Sequence, residues 1–170
     1  MDLPGATYLF TLAVVSTTYV GFAALLVGLR QAKGSRLTSY DAYFTLTFIQ
    51  LGFIVTISGL MPSLVVLYGW PLSIVWRISS VFAAIPVLWF VWRLPGRRRA
   101  ATGMPVPVIV RTLLTIQAAT AVMLLVNGAI TLEKAGAIYA TAVTVVLVSS
   151  GVAYLVALQV IRPEIGSRGD

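Results

Sequence analysis

Five stretches of this sequence, residues 7–29, 43–67, 72–92, 108–132 and 137–161, are each apolar over twenty residues or more. A helix crossing about 30 Å of hydrocarbon needs about 20 such residues. Lipid offers no partner to a backbone N–H or C=O, so runs of this kind must be helices. Turn residues separate them. Tyr68-Gly69-Trp70-Pro71 marks a tight turn between the second and third runs. Pro95-Gly96 and the pair Pro105 and Pro107 are expected to break the chain between the third and fourth. The composition agrees: 59% of the 170 residues are hydrophobic and 10% are charged, against about 25% charged in soluble domains. The expected fold is an all-α integral membrane protein, a bundle of five transmembrane helices forming one domain over residues 1–170.

Orientation follows from the cations. Arg30, Lys33 and Arg36 lie in the first loop, Arg93, Arg97, Arg98, Arg99 and Arg111 around the third, and Arg162 and Arg168 in the tail. That places ten on one side against Arg77 and Lys134 on the other. Cytoplasmic loops hold the excess of Lys and Arg, so the N-terminus is expected outside and the C-terminus inside. The formal charge of +7 then marks topology and contact with anionic lipid headgroups, not nucleic acid. The opening MDLPGATYLF carries an acid where a cleaved leader has bases, so the first run is read as a retained span. Basic inner loops and the lack of Cys suit a bacterial inner membrane.

A short pattern recurs in spans one, three and five: a Ser-bearing pair, an apolar run, a closing arginine. Ser16 precedes Arg30 by 14 residues, Ser79 precedes Arg93 by 14, and Ser149 precedes Arg162 by 13. Spans two and four echo each other as Thr45-Leu46-Thr47-Phe48-Ile49-Gln50 and Thr112-Leu113-Leu114-Thr115-Ile116-Gln117. The chain can thus be read as hairpin, hairpin, single helix, with a helical-hairpin repeat of about 65 residues of the sort found in transporters.

Small residues show where helices can approach closely. Thr17, Gly21, Ala24 and Gly28 share an arc of span one, and Thr45, Gly52, Thr56 and Gly59 an arc of span two. In span five Ala137, Ala140, Thr144 and Gly151 form one small face, and Ala142, Ser149 and Ala153 a second. In span three Val75, Ile78, Val81, Phe82, Ile85, Trp89 and Trp92 are expected toward lipid; Ser73, Arg77, Ser80 and Ala84 toward protein. Trp76, Trp89 and Trp92 fit interfacial belts. Pro86 is expected to kink this span.

There is little with which to build a catalyst. The chain has no Cys and no His, and its five acids, Asp2, Asp41, Glu133, Glu164 and Asp170, fall in loops or tails. No thiol or imidazole is available for a metal or a general base, and no cofactor is implied; Lys33 and Lys134 lie in loops, away from any place for a retinal Schiff base. The polar residues of the spans that stand out as candidates are Gln50, Arg77, Gln117, Thr120, Asn127 and Thr131. Each has two readings. Gln117, Thr120, Asn127 and Thr131 share a stripe of span four that can line a solute path or hydrogen-bond across helices. Arg77 can line an outer vestibule, or snorkel to headgroups or pair with Glu133. Arg93, Arg97, Arg98 and Arg99 can bind anionic headgroups or simply set topology.

Two functions are therefore expected. One is an oligomeric channel or passive pathway for an ion or small solute. The other is a non-catalytic accessory subunit packed against another membrane protein. Self-association is expected in the first and a foreign membrane partner in the second.

Overall fold

The computed structural model describes residues 3–32, 39–103, 105–130 and 132–161. All of its regular structure is helical: α1 (Ala6–Ala32), α2 (Ser39–Val66), α3 (Leu72–Thr102), α4 (Val108–Ala129) and α5 (Ala135–Ile161). Each contains a window long and apolar enough to cross a membrane. By length and composition the chain is a multi-pass helical membrane protein.

Consecutive helices pack side by side, α1 along α2, α2 along α3, α3 along α4 and α4 along α5. α5 also reaches α1, α2 and α3, which places it centrally. Glycines set the closest approaches. A Cβ on Gly59 would lie 2.8 Å from the Leu9 carbonyl oxygen, and one on Gly52 would run into Val20, so α2 lies hard against α1. A Cβ on Gly128 would lie 2.6 Å from Val81 Cγ2, drawing α4 onto α3, and one on Gly136 would lie 2.8 Å from the Trp76 indole.

The recurrent serines serve this packing. Ser16, Ser79, Ser80, Ser149 and Ser150 are all buried. Ser16 donates to the Gly52 carbonyl across α1 and α2 at 2.9 Å. Ser80 and Ser149 accept hydrogen bonds from side chains of α4. Tyr139 of α5, fully buried, donates to the Ser58 carbonyl of α2 at 2.6 Å. In lipid such bonds and small contacts replace the hydrophobic drive that holds soluble bundles together.

Four expectations are corrected. Pro95-Gly96 does not end the third span: α3 runs on through both to Thr102. An internal proline removes one N–H and leaves the rest of the ladder; Pro62 and Pro86 also lie inside helices. The stop comes at Gly103, whose left-handed φ of 67° lets its N–H close onto the Arg99 carbonyl. Pro107 then precedes α4. The basic cluster Arg93, Arg97, Arg98 and Arg99 consequently stands on helix, not loop. At 31 residues, α3 is about 46 Å long, so its arginine-bearing end outruns the hydrocarbon.

Span three also faces differently at its start. Val75 is 0% exposed and Trp76 6% exposed, the latter tilted against Tyr139 at 5.8 Å between ring centroids, so neither faces lipid or forms an interfacial belt. Ser73 and Arg77 are exposed. From Val81 onward the expected exposure holds: Phe82, Ile85, Trp89 and Trp92 are exposed while Ser80 and Ala84 are buried, and Val81, partly exposed, also packs against Gly128. The junction of the fourth and fifth spans is shifted toward the N-terminus, with α4 ending at Ala129 and α5 starting at Ala135. Lastly, Gly21, Ala24 and Gly28 receive no described helix of this chain: all three are exposed, and a Cβ on Gly21 or Gly28 would meet nothing within 4 Å, while the Thr17 hydroxyl meets that of Thr56 on α2 at 3.3 Å.

Candidate functional site

The buried face of α4 carries Leu114, Gln117, Thr120, Ala121, Leu124, Asn127 and Gly128. Its two amides lie ten residues apart, about 15 Å along the helix axis. Asn127, 0% exposed, donates through Nδ2 to Ser80 Oγ at 2.9 Å and to the Ala135 carbonyl at 3.1 Å. A carbonyl can only accept, so this contact fixes which end of the amide is nitrogen. Gln117, 3% exposed, donates through Nε2 to Ser149 Oγ at 3.0 Å, while that hydroxyl donates to the Val146 carbonyl. Both amides thus use their donors on neighbouring helices. Asn127 Oδ1 and Gln117 Oε1 are buried and have no hydrogen-bond partner.

Each of these residues lines a cavity, and the two cavities lie at opposite ends of the bundle. The Asn127 cavity holds about 610 Å³, between the starts of α1, α3 and α5 and the end of α4; Tyr8, Trp76, Arg77, Glu133 and Lys134 also line it. The Gln117 cavity holds about 380 Å³, between the starts of α2 and α4 and the ends of α3 and α5. Its walls are mostly apolar, with Phe44, Phe90, Leu113 and Val156, and Arg98 joins them. Between the cavities lies a packed layer around a void of only about 10 Å³, lined by Val55, Ser58, Ala83, Leu124 and Val143 among others. That is the lower edge of what a single water occupies, and Ser58 is the one polar side chain lining it.

Arg77 neither pairs with Glu133 nor merely snorkels. Its Nε donates to the Gly128 carbonyl at 2.9 Å and its Nη2 to the Ala129 carbonyl at 3.3 Å. These are last-turn carbonyls of α4, which have no partner within their own helix. The guanidinium closes the helix end and complements its partial negative charge. Tyr8 and Thr144 share a 2.7 Å hydrogen bond that ties α1 to α5 beside the same cavity.

The remaining candidates are spread out. Gln50 accepts from Arg97 Nη1 at 2.6 Å, linking α2 to the basic end of α3. It lines neither cavity described above. Arg93 stands over the Trp89 ring at 5.3 Å, and both side chains are exposed. Thr120 returns its hydroxyl to the Ile116 carbonyl. Gly151 meets nothing within 4 Å at its Cβ position. Thr131, with Lys33, Arg36, Arg162 and Arg168, lies outside the described residues. Sequence reasoning missed Ser80, Trp76 and Tyr139 as partners. Their signal was weak, since a serine, an aromatic or a tyrosine in an apolar run says nothing about which helix it faces.

No family model, curated protein or solved structure matches the chain.

Proposed function

We propose that the chain is a non-catalytic, oligomeric membrane protein that provides a passive pathway for a small solute, held shut here by the layer around Leu124. In this reading the N-terminus lies outside and the C-terminus in the cytoplasm of a bacterial inner membrane, an orientation supported by ten basic residues on one side against two on the other. The Asn127 cavity is then the outer vestibule and the Gln117 cavity the inner one. The observation that supports this reading is the pair of buried amides, each with an oxygen that has no partner, one residue lining each vestibule. An unpaired buried acceptor costs about 1–3 kcal/mol. A solute or water that donates to each oxygen removes that cost.

The test is tracer flux into liposomes holding purified protein. Wild-type chain should carry solute faster than empty liposomes, and Gln117→Leu should slow it while the protein stays monodisperse. Absence of flux for every solute tried would refute the pathway.

A second reading, the accessory subunit, is favoured by one other observation. The small-residue arc from Gly21 to Gly28 on α1 is uncovered among the described residues. In lipid such arcs are where helices associate, so it is offered either to a second copy or to another membrane protein. Subunit counting in lipid nanodiscs separates these, with Gly21→Leu weakening whichever contact forms.

A further inference from the structure

We infer that the cavity between the starts of α2 and α4 holds one acyl chain of an anionic phospholipid whose phosphate rests against Arg98. The inference stands apart from the pathway reading. A bound chain takes space that reading gives to the inner vestibule, and it binds whether or not a solute passes.

Among the described residues α2 and α4 do not pack against each other. A cleft of about 380 Å³ is left between their starts, closed by the ends of α3 and α5. It follows α4 from Pro107 to Gln117, about 15 Å along the axis. Leu51, Phe90 and Leu114 are buried in its wall, Phe44 and Leu113 are partly exposed, and Ile109 is exposed. The cleft therefore opens at the surface of the bundle, where a membrane supplies lipid. Thr47 and Gln117 turn their donors to protein, the first to the Tyr43 carbonyl and the second to Ser149. What remains is mostly carbon surface, which matches a hydrocarbon chain.

The charge sits at one end. Phe90, Leu94 and Arg98 line the cleft at successive turns of α3, so Arg98 stands where that helix outruns the hydrocarbon. Arg97 and Arg99 flank it, and no acid lines the cleft among the described residues. α4 begins at the same end behind Pro107, with no side chain capping its first-turn N–H groups. A guanidinium fork suits phosphate oxygens, and a helix N-terminus favours an anion. Basic pockets between membrane helices at this depth bind anionic headgroups. Cation and N–H groups at the headgroup level, with carbon below, reproduce the polarity of one phospholipid read from head to tail. Arg93 lies on the exposed side of the same helix over Trp89 and lines no such cleft.

The experiment is native mass spectrometry of the full-length chain in detergent, with dioleoyl phosphatidylglycerol and dioleoyl phosphatidylcholine added in turn. One phosphatidylglycerol per protomer is expected, held about fivefold or more tightly than phosphatidylcholine. Arg98→Gln should remove that preference while Arg93→Gln, with the same change of charge, keeps it. Leu113→Trp should expel the lipid by filling the cleft. Dihexanoyl phosphatidylglycerol and free glycerophosphate should bind far more weakly than the dioleoyl lipid. Equal retention of the two dioleoyl lipids overturns the inference, as does equal loss in Arg93→Gln and Arg98→Gln, which would mark a diffuse basic surface. Binding of glycerophosphate as tight as that of the dioleoyl lipid overturns it too, since the chain would then contribute nothing. The comparisons of headgroup and chain length on wild-type protein decide the matter even if a variant does not fold.

Discussion

Asn127 of α4 donates to Ser80 of α3 at 2.9 Å, with both side chains fully buried. The Gln117–Ser149 bond repeats the arrangement ten residues earlier, joining α4 to α5. Together they lock α4 to a different neighbour at each end. Double-mutant cycles with alanine at Ser80 and Asn127 should give a coupling of about 0.6–2 kcal/mol, measured by unfolding in bicelles. A coupling of zero would mean that the two helices are held by packing alone.

Gly59 and Gly21 should behave oppositely. A Cβ on Gly59 lies 2.8 Å from a backbone oxygen of α1, whereas one on Gly21 meets nothing within 4 Å. Gly59→Ala is therefore expected to lose about 1–3 kcal/mol, since α1 must move away. Gly21→Ala should stay within about 0.5 kcal/mol in the isolated protomer. Thermal unfolding in detergent compares them. Equal effects would contradict the close approach of α1 and α2.

Arg77 closes the end of α4 through two backbone carbonyls. Arg77→Gln should weaken that end by about 0.3–1 kcal/mol. Hydrogen exchange should quicken in peptides covering the last turn of α4, with the first turns unchanged. Unaltered exchange there would show that the guanidinium contact is not maintained in the membrane.

Because the chain has no cysteine, single cysteines report topology directly. Trp70→Cys, in the turn between α2 and α3, should react with an impermeant maleimide from outside. Ala100→Cys, near the end of α3, should react only after the membrane is opened. The reverse pattern would invert the orientation and exchange the two vestibules.

The five spans were legible because an apolar run over twenty residues long has few other solutions. Element ends were less so. Pro95 reads as a breaker, yet α3 passes through it and stops only at the left-handed Gly103, since one missing N–H leaves the rest of the helical ladder in place. Within α3 the facing of Val81 to Trp92 followed from periodicity. Val75 and Trp76 did not, since α5 and the α4–α5 turn cover the start of that helix, and no single-helix pattern contains that fact. The polar stripe of α4 was visible as a stripe. Its division between two cavities was not, because Ser80 and Ser149 meet it from 47 and 32 residues away in sequence. The α1 arc shows the same limit: small residues at helical spacing mark a surface that can be approached without saying which helix approaches it.

The most direct measurement is the rate of glycerol-driven swelling of liposomes carrying the wild-type chain beside that of the Gln117→Leu, Asn127→Leu double variant. If the two unpaired oxygens serve a solute path, wild type swells faster than empty liposomes and the double variant falls back toward them while remaining folded. If wild type and double variant swell alike, the amides are only fastenings between helices, and the pathway is wrong.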